Sequence, residues 1–159
     1  MSTDVQRVAQ AGRILIAKSG CLMFRSVTMA IDVLGAYYPT NGRLGLFVTD
    51  GTKVLMFGIE TSDSKVVIES HTVISGAVTM VNVYNRVVPY LPPVMWFRIT
   101  NDGTHRTYYF SLNGVSWNLV YQEAFNQFLV ETSAGFGASD NGNGMALAPA
   151  MNIFSWSGA

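Results

Sequence analysis

The sequence predicts an all-β fold, an antiparallel β-sandwich of two sheets, and two observations carry this prediction. The first is a series of Asn-Gly and Asp-Gly pairs at residues 41–42, 50–51, 102–103 and 113–114, each between runs rich in β-branched and aromatic residues. Such pairs favour tight hairpin turns, because both central residues of these turns adopt positive φ. The second is the alternation of apolar and polar residues within those runs, which is typical of strands with one buried face.

Segment 26–34 shows the alternation most clearly. Its apolar residues fall on one face and its polar residues on the other: Val27, Met29, Ile31 and Val33 against Ser26, Thr28 and Asp32. The same pattern predicts further strands near residues 13–17, 43–49, 53–60, 65–71, 78–86, 94–100, 105–111, 116–121, 134–139 and 150–157. A chain with so many strands and with turn residues between them is expected to form two packed sheets rather than βαβ units.

Two short segments favour helix instead. Thr3 or Asp4 can cap a helix that ends at Gly12, so residues 1–12 are expected to form a short N-terminal helix or an arm. Residues 123–131 fit one or two helical turns. No linker, repeat or low-complexity segment divides the chain, and residues 1–159 are therefore expected to fold as a single domain.

The composition is poor in charge. Charged residues make up 13% of the chain, against about 25% in a typical soluble domain, while hydrophobic residues make up 49%. The formal net charge is zero, so no basic field would attract nucleic acid or an anionic membrane. The apolar runs are too short to span a bilayer, and the N-terminus lacks the apolar segment of a classical signal peptide. We expect a soluble protein that covers its apolar surface by forming a homo-oligomer.

The C-terminal third carries three strings that resemble a known superfamily. They are WFRITNDGTHRTYYFSLNGVSWNLVYQE at 96–123, FLVETSAGFGASDNGNG at 128–144 and MNIFSWS at 151–157. Together with the upstream string RLGLFVTDGTKVLMFGIE at 43–60, they resemble the small modules of the concanavalin A-like lectin/glucanase superfamily over residues 20–157. The resemblance implies a concanavalin A-like jelly roll.

Modules of this kind occur in two settings, and the resemblance leaves both open. They are accessory carbohydrate-binding domains of glycosidases, and they are parts of bacteriophage virion proteins. A short chain without a catalytic domain or a signal peptide fits a phage-type structural or decoration protein in the virion, with other virion proteins or host glycans as partners. A stand-alone carbohydrate-binding module is the alternative, and a glycan-cleaving enzyme of the same fold is a third hypothesis.

The carboxylates argue against the enzyme. Catalytic members with the laminarinase-like architecture carry an E-x-D-x-x-E or E-x-D-x-E strand, which places nucleophile and acid on one sheet face. The sequence has no such strand: Glu60 and Asp63 straddle a predicted turn, and Glu123 and Glu131 flank the predicted helical segment. We therefore expect no enzymatic activity.

No residue pattern predicts a metal or a cofactor. His71 and His105 are far apart, and Cys21, the only cysteine, is expected to be a buried apolar residue. The segment 140–144 offers oxygen donors without the alternate spacing of a calcium loop. No phosphate-binding or dinucleotide-binding motif is present.

Residues 111–117, SLNGVSW, resemble an Asp-box turn that is one residue shorter and has Asn113 in place of Asp. We expect a local structural role, in which Asn113-Gly114 turns the chain, Ser111 bonds across the turn and Trp117 packs over it. Direct ligand contact is the alternative.

The hairpin around Asp102-Gly103 supplies the candidate binding residues. A two-residue turn at this pair would pair Phe97 with Tyr108 and Trp96 with Tyr109. Alternation then places one set on the core face, namely Met95, Phe97, Ile99, Tyr108 and Phe110. The other face receives Trp96, Arg98, Thr100, Thr107 and Tyr109. Trp96, Arg98 and Tyr109 can stack on a sugar ring and bond its hydroxyls. The alternative is that this face packs under the second sheet or a subunit partner, with Arg98 paired internally.

Overall fold

The structure is a computed structural model that describes residues 5–10, 13–19, 26–34, 43–60, 65–74, 77–87, 94–139 and 150–158. These residues form the strands β1 (Val5–Gln10), β2 (Arg13–Ser19), β3 (Ser26–Leu34), β4 (Arg43–Thr49), β5 (Lys53–Glu60), β6 (Lys65–Ile74), β7 (Ala77–Val87), β8 (Val94–Asn101), β9 (His105–Ser111), β10 (Asn118–Ala124), β11 (Ser133–Ser139) and β12 (Ala150–Gly158). The structure contains no helix within these ranges, so it shows no helix there that could cross a membrane.

The strands pair into two antiparallel sheets. The seven-stranded sheet has the order β1-β2-β11-β4-β5-β6-β7, and the five-stranded sheet has the order β10-β9-β8-β3-β12. Neighbours in sequence form hairpins and meanders, as in β4 to β7 and β8 to β10. The predicted fold class, an antiparallel two-sheet β-sandwich, is confirmed.

The structure contradicts the helix alternative for residues 1–12, over the described residues 5–10, and the helical turns expected at 123–131. Residues Val5–Gln10 form β1, which pairs with β2 along its whole length, from Val5 opposite Lys18 to Gln10 opposite Arg13. The apolar spacing of VQRVAQ also suits a helix, but ladder hydrogen bonds to a neighbouring strand override so weak a local preference. In the second segment, β10 continues to Ala124, and only one turn follows, in which Gln127 N donates to Ala124 O at 3.0 Å.

The hydrophobic core lies between the two sheets. Its buried residues come from both, and they are Val27, Met29, Ile31, Leu44, Leu46, Val48, Leu55, Phe57, Ile59, Val66, Ile68, Met95, Phe97, Ile99, Tyr108, Leu129 and Ala134. Aromatic contacts join the layers: the ring centroid of Phe57 on β5 lies 5.1 Å from that of Phe97 and 5.4 Å from that of Tyr108, both edge to face. Such pairs add about 0.5–1.5 kcal/mol each beyond the area they bury.

The two sheets differ on the side that faces away from this core. On the seven-stranded sheet that side is buried as well: Phe47, Met56 and Val67, which alternate with core residues, are at most 3% exposed. On the five-stranded sheet, the corresponding side chains of β8 are half-buried. This side of the five-stranded sheet, which faces away from the core, carries Trp96, Arg98 and Tyr109 as half-buried side chains. We call it the outer face.

Candidate functional site

The β8–β9 hairpin sets the geometry of the outer face. Its register pairs Phe97 with Phe110, Arg98 with Tyr109 and Trp96 with Ser111. The predicted pairs, Phe97 with Tyr108 and Trp96 with Tyr109, are wrong by two residues. The turn centres one residue later than expected, on Gly103 and Thr104, and Asp102 N donates to His105 O at 3.2 Å.

The shift by two residues leaves the predicted faces intact, because side chains alternate with a period of two along a strand. Met95, Phe97, Ile99 and Tyr108 are buried in the core, and Phe110 packs against it. Trp96, Arg98 and Tyr109 share the outer face and are half-buried. The structure thus brings the three predicted site residues together, while their binding role stays a prediction.

Arg98 is held at the centre of the outer face by two contacts. Its Nε donates to Thr28 Oγ1 at 3.0 Å, and Thr28 is its register partner on β3. Its Cζ lies 3.7 Å from the ring centroid of Trp117, so guanidinium and indole stack. Partial burial lowers the pKa of Arg98, and the nearby Tyr109 hydroxyl partly offsets this effect. The side chain nevertheless stays protonated at neutral pH, since arginine does not titrate there.

The loop from Leu112 to Trp117 lies against Trp96. A Cβ at Gly114, whose φ is +73°, would approach Trp96 Cε2 to 2.8 Å, so only glycine fits both the backbone and the indole. Ser111 Oγ accepts from Gly114 N at 2.9 Å, and Asn113 Oδ1 accepts from the next two amides. The expected structural role of Ser111 and Asn113 is confirmed. The indole that lies against Gly114 is that of Trp96 and not, as expected, that of Trp117, which stacks on Arg98.

Sequence reasoning missed two members of the outer face. Trp117 ends the SLNGVSW string, which marked it as an aromatic of interest but gave no sign that it would stack on Arg98. Thr28 is far from Arg98 in sequence, and only the pairing of β3 with β8 joins them. A rim of exposed apolar side chains lies beside this set: Leu112 at 56%, Val115 at 81% and Leu119 at 63% exposure. Leu119 is the register partner of Tyr109.

Glu123 and Glu131, which are separated in the sequence, come together inside the sandwich and not on the outer face. Glu123 and Glu131, at most 5% exposed, both bind the buried guanidinium of Arg106, with Glu123 Oε1 3.0 Å from Nη1. Tyr108 OH donates to the same Glu123 oxygen at 2.5 Å. Burial, together with the Glu123 charge, raises the pKa of Tyr108 well above its usual value. Each carboxylate is thus occupied by fixed donors inside the sandwich.

Three further carboxylates, those of Glu60, Asp50 and Asp102, are also engaged. Glu60 pairs with Arg43 at 3.1 Å, and Asp50 and Asp102 accept backbone N–H groups in the turns of their hairpins. His105 is exposed beside Asp102, with Nδ1 4.0 Å from the carboxylate. No group of metal-ligating side chains occurs in the part of the chain that the structure describes. Cys21, Asp63 and the 140–144 segment lie outside that part.

Comparison with known proteins identifies the fold. No protein-family model and no curated protein sequence matches the chain. The GH43 protein BlXynB from Bacillus licheniformis matches over 89% of this chain with a TM-score of 0.61 and 11% identity, and the chain spans 31% of its length. The kappa-carrageenase from Pseudoalteromonas carrageenovora matches over 92% of this chain and 68% of its own, with a TM-score of 0.55 and 8% identity.

A third structure comes from a virus. The CBM2 module of the evolved Dit of Lactobacillus casei BL23 phage J-1 matches over 96% of this chain and 72% of its own, with a TM-score of 0.51 and 12% identity. These likenesses confirm the concanavalin A-like sandwich fold expected from the sequence. They span both enzymes and a phage module, so they define the fold and leave the activity open.

Proposed function

We propose that the chain is a non-catalytic glycan-binding module that binds carbohydrate through the outer face. The observation that carries the proposal is the grouping of half-buried Trp96, Tyr109 and Trp117 around the guanidinium of Arg98. Aromatic side chains offer flat apolar area to a sugar ring, and the neighbouring guanidinium and hydroxyls offer hydrogen bonds to its substituents.

The absence of catalysis is part of this proposal. Retaining and inverting glycosidases need two carboxyl groups on either side of the scissile bond. Glu123 and Glu131, which both bind Arg106, are enclosed inside the sandwich. A sugar beside Arg98 on the outer face would meet the rings of Tyr109 and Trp117, the hydroxyl of Thr28 and the guanidinium itself.

We place the module in a phage-type virion, as a structural or decoration protein. The likeness to a module of phage J-1 Dit supports this setting, as does a composition that suits assembly better than free diffusion. Detection of the chain by mass spectrometry among the proteins of purified particles would support the setting. Its recovery only from the fluid around intact particles would contradict it.

A glycan array tests the binding site. We expect the wild-type chain to bind a subset of oligosaccharides without releasing products from them. Trp117→Ala and Tyr109→Ala should each weaken that binding by roughly 1–3 kcal/mol, the scale of losing an aromatic contact in a binding site. Both residues are half-buried on a surface, so melting temperatures should change little.

Val130→Ala is the matched control. Val130 is 55% exposed and belongs to the segment between β10 and β11 rather than to the outer face. This variant should bind as the wild type does. Product release that disappears on mutating one acidic residue would contradict the non-catalytic role, and binding that survives both aromatic substitutions would contradict the site.

A further inference from the structure

Arg98 differs from the other arginine side chains that the structure describes. Arg43 and Arg106 are buried and paired with carboxylates, at 3.1 Å from Glu60 and 3.0 Å from Glu123 respectively. Arg98 is half-buried, and no described carboxylate lies within 4.0 Å of it. Its neighbours are a hydroxyl, Thr28, and an indole, Trp117. A guanidinium that is partly withdrawn from water and lacks a counter-ion has an unmet preference for an anion.

The contacts of Arg98 leave one part of the guanidinium open. Nε is occupied by Thr28 Oγ1, and one planar face is covered by the Trp117 ring. The two Nη groups have no hydrogen-bond partner among the described residues, and neither of them is a buried atom without a partner. A pair of parallel N–H donors at the end of a fixed guanidinium matches the two oxygens of a carboxylate or a sulfate ester.

We infer that the outer face recognises an anionic glycan, whose carboxylate or sulfate ester binds the Nη groups of Arg98 while a sugar ring lies against Tyr109 and Trp117. The inference rests on the proposed glycan-binding function and names the substrate class for that same site. Thr28 is a positioning residue, because it holds the guanidinium in place, whereas Trp117 both stacks on the guanidinium and contacts the sugar. Partial burial, which lowers the pKa of Arg98, also weakens the hydration of its charge and so favours pairing with a bound anion.

The test compares three oligosaccharides of equal length by titration calorimetry on the full chain. They are an oligogalacturonide, a sulfated galactan oligosaccharide and the neutral galactan oligosaccharide. We expect one or both anionic probes to bind about 10- to 100-fold more tightly than the neutral probe, the range of one hydrogen-bonded charge pair. The preference should fall as salt is raised. Comparison of the two anionic probes shows whether the site prefers a carboxylate or a sulfate ester.

The variants distinguish the contribution of Arg98 to anion binding from the contribution of positive charge in general. Arg98→Gln should bind all three probes equally, at the level of the neutral one, and Arg98→Lys should keep part of the preference. Thr28→Val keeps the charge, removes the acceptor of Nε and should reduce the preference without abolishing it. Lys53→Gln, which removes one positive charge from the β4–β5 turn, should behave as the wild type. Melting curves show that each variant is folded.

The outcomes distinguish this inference from the function on which it rests. Equal binding of neutral and anionic probes by the wild type, or an anionic preference that survives Arg98→Gln, would overturn the anionic ligand and leave glycan binding standing. Failure of the wild type to bind these probes or any member of the glycan array would overturn both.

Discussion

At the residue scale, two turns that share the sequence Asp-Gly-Thr set the register of the β4–β5 and β8–β9 hairpins. In the β4–β5 hairpin, Asp50 Oδ1 accepts from Lys53 N at 2.7 Å, and in the β8–β9 hairpin, Asp102 Oδ1 accepts from His105 N at 2.6 Å. In both, the central pair is Gly-Thr, and the glycine has positive φ. The Asp therefore stands before the turn and caps it, which is why placing Asp-Gly at the tip gave the wrong register.

The Asp102 turn should make folding pH-dependent. Hydrogen bonds from the backbone N–H groups of His105 and Thr104 lower the pKa of Asp102 below its ordinary value of 3.8. The folded state thus favours the carboxylate. The stabilisation is complete above the pKa of the unfolded chain, and it is lost as the pH falls through the folded-state pKa. Asp102→Asn keeps an oxygen acceptor but cannot ionise.

Urea unfolding between about pH 2 and pH 6 measures this effect. The wild type should lose stability towards the acid end by more than Asp102→Asn does, so the two curves converge at low pH. Asp102→Ala, which has no acceptor, should be less stable than the wild type at neutral pH. Parallel pH curves for the wild type and Asp102→Asn would contradict the role of the charge.

At the element scale, the segment between β10 and β11 ties the two sheets together. Phe125 N donates to Thr104 O in the turn of the five-stranded sheet at 3.0 Å, and Thr132 N donates to Thr49 O in the seven-stranded sheet at 2.8 Å. Lys53 Nζ donates to Phe128 O at 2.9 Å from the seven-stranded side. The segment follows the edge of the sandwich instead of forming the predicted helix, because its polar groups find partners on both hairpins.

Arg106, which is buried, holds this segment in place by hydrogen bonds. Its Nη2 donates to Phe125 O at 2.6 Å and to Leu129 O at 2.8 Å, and it also binds Glu131. Asn101 Nδ2 donates to the other Glu131 oxygen. Arg106→Met would leave two buried carboxylates without their cation, which typically costs about 3–5 kcal/mol. We expect a loss of that size, with faster proteolysis between residues 125 and 132.

Two further variants check the origin of that loss. Glu131→Gln keeps the shape and one hydrogen-bonding group, so its cost should be about 1–3 kcal/mol, the range for replacing one charged hydrogen bond. Arg98→Met removes a half-buried arginine with no carboxylate partner and should cost less than about 1 kcal/mol. An Arg106→Met chain as stable as Arg98→Met would show that the buried cluster contributes nothing to stability.

At the scale of the whole molecule, local sequence patterns predicted the strands and their faces but not the order of the sheets. Alternation and turn residues are local signals, and they located β2 to β12 within a few residues. The insertion of β11 between β2 and β4, and of β3 between β8 and β12, depends on packing between distant parts of the chain. The site followed the same rule: the hairpin pattern grouped Trp96, Arg98 and Tyr109, whereas Thr28 and Trp117 came from longer-range contacts.

The low charge of the chain and its exposed apolar rim predict self-association. Leu112, Val115 and Leu119 are more than half exposed and lie on or beside β10, which is the edge strand of the five-stranded sheet. An edge strand bordered by apolar side chains is a ready surface for pairing with another chain.

At tens of micromolar, light scattering should therefore give a mass that is a multiple of 17.4 kDa. Val115→Lys should shift the mass towards the monomer, whereas Val130→Lys, on the segment between β10 and β11, should not. A wild-type mass of 17.4 kDa at that concentration would leave the apolar rim to the ligand or to a different protein, and would contradict the homo-oligomer.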